Sequence, residues 1–556
     1  MTLNKFVKRT EDLAIPGAAR VVNVRAIANC LPFAAGFCLF VPGIADAGNQ
    51  QPSQGNRLAN AAEHRNMDLV GVNDLQARST YQPTVHKQGN RYILYAGHHA
   101  LATNPVTGNP LPSFNPLTGK NEPNGTSLVD VTDPQNPVFL AHIPVGTPVT
   151  PPATPTNGGA QMVRVCDGST LPIHNNKVYM LRSYANSAHE IWDTTDPSNP
   201  VGVRTVAGGN PVIGSLAGTH KNWWECDTGI AYIVGRRSTD TAAGWRPGNH
   251  IIIFDLGNPA SPVFLRDWAL DGQQPGGVIP PHFTAVPSIH GPISTGPAGG
   301  PVSLTGATPD RVYFAYGTSS NGVMQVVDRT KLLPPPWGTG VACGSSCTDF
   351  TTAEVGRWNM IPFNGAHTSF PIGKITIAEF EPNAEGTVRD FVVVTSEETN
   401  NECTGPRNLT YTVDVTEGVP GETGTRPQSM TNIQVPEADG EFCDRGGRFG
   451  PHATNEEFGP PFYQKIVFIS YFNAGVRAID VRDPFNPAEV AFYIPATTAS
   501  TDYRCTNNAD PTTCKIAIQT NNVATDDRGY IYIVDRADTG LHVLTLTGGA
   551  KSVIAP

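Results

Sequence analysis

Ile466-Val467-Phe468-Ile469 leads, a few residues on, into Gly475-Val476-Arg477-Ala478-Ile479-Asp480-Val481 and then Asp483-Pro484-Phe485-Asn486-Pro487. Two short runs rich in β-branched and aromatic residues, bounded by Gly, Asp and Pro, read as antiparallel strands joined by tight turns. The first of these strands recurs as Tyr92-Ile93-Leu94-Tyr95, Val178-Tyr179-Met180-Leu181, Ala231-Tyr232-Ile233-Val234, Val312-Tyr313-Phe314-Ala315, Phe391-Val392-Val393-Val394 and Tyr530-Ile531-Tyr532-Ile533. Including Ile466–Ile469 there are seven. The second ends in Asp130, Asp193, Asp255, Asp328, Asp414 and Asp480, with Thr545 in the seventh place. An aspartate there is expected to close an Asx turn onto the backbone two residues on, and proline in the turn that follows costs no ladder hydrogen bond. The unit repeats roughly every 65 residues. That length holds several strands and fits one propeller blade better than a solenoid coil of about 20–30 residues. Seven units predict an all-β, seven-bladed β-propeller. The last unit ends at Leu544-Thr545-Leu546 without room for an outer strand, so Met67-Asp68-Leu69-Val70-Gly71-Val72 is expected to supply it, closing the ring and covering a sheet edge.

Ser127-Leu128-Val129-Asp130-Val131, Gly475 to Val481 and the Asp-Pro turns that follow them resemble the repeats of the LVIVD-repeat β-propeller proteins of bacteria. The resemblance runs from about Met67 to the C-terminus and implies the propeller architecture. Proteins similar to it are mostly uncharacterised, and one fold hosts many functions, so it implies no reaction.

Composition agrees with a chain of turns and short strands: 56 Gly, 50 Pro and only 15% charged residues among 556, against about 25% charged in ordinary globular proteins. A formal net charge of −10 without basic runs excludes a nucleic-acid partner. Arg20 and Arg25 precede the apolar stretch Ala26 to Gly43 and the A-x-A pattern Ala45-Asp46-Ala47. Residues 1–47 are therefore expected to be an export leader and 48–556 a single propeller domain, periplasmic or secreted. Pro32 and Pro42 argue against a stable membrane span after the leader is removed. Of ten cysteines, Cys30 and Cys38 fall in the leader. The remaining eight suit an oxidising compartment. Cys343 with Cys347, Cys403 with Cys443, and Cys505 with Cys514 are close in sequence, which leaves Cys166 to pair with Cys226.

The segments expected to form or enter the innermost strands carry histidine in five repeats: His86, His220, His290, His367 and His452. Equivalent innermost positions form a ring around one axis, so these residues are candidate ligands of a transition metal, iron or copper ahead of zinc. Glu225 and Glu456, a few residues beyond His220 and His452, are candidate acceptors for the histidine N–H groups behind the metal. The arrangement is similar to the four-histidine iron centre of the seven-bladed carotenoid-cleaving oxygenases and, more loosely, to the histidine-containing centre of selenium-binding-type methanethiol oxidases. No sequence motif of either family is present, so neither substrate carries over. His98-His99 read as surface histidines, since neighbours on an extended chain point to opposite faces.

The leading functional reading is an exported metal-dependent oxidoreductase acting on a small molecule admitted to the channel. A non-catalytic binding or scaffold propeller with an unidentified protein partner is the first alternative, its histidines hydrogen-bonding neighbouring blades. A metal-dependent hydrolase with Glu225 or Glu456 as base is the second. No nucleophile elbow, phosphate-binding glycine loop or HExxH helix is present.

Overall fold

A computed structural model describes residues 62–100, 113–146, 159–206, 215–281, 283–340, 352–377, 387–416 and 427–555. The expected leader lies outside the described residues, as do Cys343 and Cys347. Seven antiparallel sheets form seven blades in a ring. In blade 1 the strands run Thr80–Gln88, Arg91–His98, Gly125–Asp130 and Val138–Pro144 from axis to rim. The recurring strand of the sequence is the second strand of six blades, Arg91–His98, Val178–Tyr184, Ile230–Arg237, Arg311–Tyr316, Val388–Ser396 and Tyr530–Asp535, and in blade 6 it is Ile466–Ser470, inside which Thr454 forms an isolated bridge with Ile469 in place of a full inner strand. These strands are buried on both faces, which is why they read as continuous apolar runs rather than alternating ones.

All six recurring aspartates close the expected turn, each Oδ1 accepting the backbone N–H two residues on, from Thr132, Thr195, Gly257, Thr330, Thr416 and Arg482. Closure also follows the sequence. Met67–Asn73 pairs antiparallel with Leu541–Leu546 as the outer strand of blade 7, and Met67 is fully buried beside Phe468, Ile533 and Leu544. Glu63–Arg65 adds a further strand to the rim of blade 6, pairing with Phe492 to Ile494. The N-terminal segment thus ties two blades together, where the sequence argues for one. Cys166–Cys226, Cys403–Cys443 and Cys505–Cys514 are disulfides.

Candidate metal centre

At one end of the channel the pairing of the first and second strands skips a residue. The register steps from Thr80/His98 to Gln82/Gly97 in blade 1, from Ile289/Tyr316 to Gly291/Ala315 in blade 4, from Ala366/Ser396 to Thr368/Thr395 in blade 5, and from Thr520/Asp535 to Asn522/Val534 in blade 7. The extra residue in each is Tyr81, His290, His367 and Asn521. A one-residue bulge of this kind re-aims a side chain that regular pleating would send elsewhere. His220 and His452 take comparable places in blades 3 and 6, with backbone N–H groups donating to Val234 and Ser470 on the second strands.

Four of the five candidate histidines therefore meet. The ring centroids of His220 and His290 are 4.7 Å apart, those of His290 and His367 3.8 Å, and those of His367 and His452 4.1 Å. Tyr81 stands among them, its hydroxyl 3.1 Å from His220 Nε2 and 2.9 Å from His367 Nε2, while His220 Nε2 is 3.0 Å from His290 Nε2. Two ligands at right angles about 2.0–2.1 Å from one ion lie about 3.0 Å apart, so these atoms already have the spacing of neighbouring ligands. A carboxylate completes the group: suitable atoms of His290, His367 and Glu397 lie within 4.8 Å of one another.

The surrounding hydrogen bonds orient the rings. His290 Nδ1 is 3.1 Å from the carbonyl oxygen of His367 and His452 Nδ1 is 2.6 Å from that of Asn521. A carbonyl only accepts, so both Nδ1 atoms carry the proton and both Nε2 atoms present a lone pair. His452 Nε2 is buried and has no hydrogen-bond partner; the nearest carboxylate oxygen, Glu397 Oε1, is 3.8 Å away. Burial pushes the pKa of His220 down to about 3 and those of His290, His367 and His452 well below the usual value, with neighbouring cations and imidazoles adding to it. The imidazoles are neutral at pH 7, the form that ligates metal. Burial, reinforced by Glu397, holds the Tyr81 phenol well above its ordinary pKa.

His86 is placed elsewhere. It lies five residues beyond the bulged position, near the far end of the same strand and opposite Ile93, where Nε2 is 3.0 Å from Asp167 of blade 2. Tyr81 occupies the place in blade 1 that His86 was expected to fill. The two glutamates are corrected as well, since neither accepts from a histidine. Glu225 is taken up by Arg329, Tyr232, Ser294 and Thr228. Glu456 accepts from Lys221 at 2.6 Å, from Gln82 at 3.2 Å and from Arg164. Burial alone would raise its pKa, but Lys221 and Arg164 hold it at about 2.

No protein-family model matches the chain, and no curated protein does. Among solved structures, the β-propeller domain of Cps50 (Swd1) from Myceliophteria thermophila aligns with 87% of this chain and 100% of its own, at 8% identity and a TM-score of 0.42.

Three contributors were not read from the sequence. His99, Glu397 and Arg536 each stand one residue past the second-strand partner of a bulge, following His98, Ser396 and Asp535. His99 packs edge-on against Tyr81 at 5.0 Å, and its Nε2 is buried without a partner. It is not a surface histidine. His98 is fully buried, turned the other way to Ser127 at 2.8 Å and Thr80 at 3.0 Å. The opposite-face argument for the two neighbours holds, but one face is the blade interior and the other the half-buried channel end. Glu397 Oε1 accepts from Arg448 at 2.8 Å.

Proposed function

We propose that the protein is an exported redox metalloprotein in which His220, His290, His367 and His452 hold iron or copper at the channel end, and that it oxidises a small molecule reaching that centre. The observation that carries the reading is His452 Nε2: a lone pair directed by the Nδ1 contact to Asn521, buried, with no hydrogen-bond partner. That lone pair faces three other imidazoles and the Glu397 carboxylate, where a metal ion would answer it. A predominantly imidazole donor set with Tyr81 and Glu397 oxygens close by suits iron or copper. When bound, the metal supplies one-electron chemistry at a centre of neutral donors. The chain's own contribution is to fix the rings: His367 O and Asn521 O hold the Nδ1 protons of His290 and His452, and Thr368 Oγ1 sits 2.9 Å from His367 Nδ1.

Export is part of the same proposal. Three disulfides are compatible with an oxidising compartment, and among the described residues no helix is long and apolar enough to cross a membrane. Hydrolysis loses both of its candidate bases, because Glu225 and Glu456 are bound to arginine and lysine.

The test is elemental analysis with X-ray absorption spectroscopy on tag-free protein from an oxidising compartment. About one iron or copper per chain, with the outer-shell scattering of several imidazoles, supports the reading. Metal-free protein that regains neither ion on incubation overturns it in favour of a scaffold.

A further inference from the structure

Arg448, Arg504 and Arg536 stand together at the mouth of the histidine ring, among the carboxylates of Glu397, Asp502, Asp535 and Asp538. Arg448 Nη1 donates to Glu397 Oε1 at 2.8 Å and Arg504 Nη1 to Asp502 Oδ2 at 2.8 Å. Arg536 is left over. Among the described residues its side chain makes no hydrogen bond, and its one acidic contact is 3.9 Å to the Glu397 oxygen that Arg448 already holds. Asp535, beside it in sequence, turns its oxygens to the backbone N–H groups of Gln519 and Ala537, each at 2.6 Å.

A half-buried guanidinium whose donors meet no protein acceptor is open to an anion from solvent. Arg536 is well placed to receive one. Its backbone is clamped, the N–H donating to Gln519 O at 3.0 Å and the carbonyl accepting from Ser79 Oγ and Arg504 Nη2, each at 2.7 Å. Its side chain is 22% exposed, so the donors remain reachable. It acts electrostatically on Tyr81, His99, His220 and His452, which places its charge beside the ring. Burial and the neighbouring Arg448 press its pKa downward, as expected for a cation short of partners.

We propose that Arg536 binds the carboxylate of the small-molecule substrate at the mouth of the histidine ring, so that the substrates of this protein are organic monoanions. The planar fork of a guanidinium matches a carboxylate in two parallel hydrogen bonds and fixes its direction. The anion's identity as substrate rests on the redox reading above, whereas the anion site itself does not.

The two are separated by titrating the full chain, treated with a chelator to remove metal, with acetate and with neutral acetamide, followed by saturation-transfer NMR. Acetate is expected to bind saturably and acetamide not to bind. The Arg536→Gln variant should weaken acetate about tenfold or more, and Arg536→Lys, which keeps the charge but loses the fork, should fall between wild type and Arg536→Gln. Equal acetate binding by wild type and a folded Arg536→Gln, or no saturable binding by wild type, overturns the proposal. Acetate binding that follows Arg536 in protein that never contains metal keeps the anion site and overturns the redox reading. Metal in the ring with acetate indifferent to Arg536 does the reverse.

Discussion

His220 and Lys221 are neighbours in the chain, yet they belong to two regions of the channel built on opposite principles. Lys221 sits in a knot in which Glu456 answers both Lys221 and Arg164, with Gln82 adding a further donor. His220 belongs to a ring whose members are neutral by burial and in which His452 Nε2 and His99 Nε2 find no partner. The knot is a closed account of charges. In the ring, the Nε2 atoms of His220, His290 and His367 meet only one another and Tyr81, while those of His452 and His99 stay open, and an unanswered lone pair in the interior is where a ligand is to be sought. Both regions are rich in titratable groups, so what sets the ring apart is the convergence of neutral imidazoles on one point.

The sharpest way to break the comparison is to open the knot. Glu456→Gln leaves Lys221 and Arg164 as uncompensated buried cations and should cost about 3–5 kcal/mol of stability, read as a fall in denaturant midpoint. Little loss would mean that water or another group already answers those charges.

Closing the ring with metal should act in the opposite direction. Stabilisation by a ligand grows as RT ln(1 + [L]/Kd), about 4 kcal/mol at a thousandfold excess over Kd. Chelation should therefore lower the Tm of wild type and leave that of His367→Ala unchanged. The same chelator-induced shift in both proteins would show that His367 is not a ligand.

A third contrast lies outside the channel, at Asp390 in blade 5. Burial raises its pKa from 3.8 to about 6, even though Thr308 Oγ1 donates to it, and Oδ1 has no partner. A carboxyl raised in the folded state binds more protons there than in the unfolded chain, so ionisation destabilises progressively from about pH 4 and fully above about pH 6. Asp390→Asn should thus gain about 3 kcal/mol at pH 7.5 and nothing at pH 3.5. A gain independent of pH would assign the effect to packing.

The smallest effect belongs to the turns. Asp255→Ala removes the acceptor for Gly257 N–H at 2.7 Å and should cost about 1 kcal/mol, with no change in metal content.

The fold was legible because its signals are local. Seven apolar second strands and six turn aspartates each carry their meaning within a few residues, and Met67–Asn73 could be assigned to closure because the last unit lacked an outer strand. The ring was legible only in part. His290 and His367 project inward because a bulge inserts one residue opposite the end of the second strand, a matter of register between strands that residue type does not reveal. His86 shares a strand with Tyr81 but lies five residues from the bulge, and the sequence gives more weight to its imidazole than to the phenol that takes its place. Glu225 and Glu456 are near His220 and His452 along the chain, yet four or five residues of extended backbone carry a side chain well away. A usable signal for His99, Glu397 and Arg536 did exist: each follows a second strand by the same step.

The central claim is that the bulged ring, and no other histidine, holds one transition metal. The direct measurement is metal per chain in wild type, His290→Ala, His367→Ala and His86→Ala, each purified without an affinity tag and checked for folding. The account predicts one iron or copper in wild type and His86→Ala and none in the other two; metal-free wild type, or metal retained by both ring variants, would contradict it.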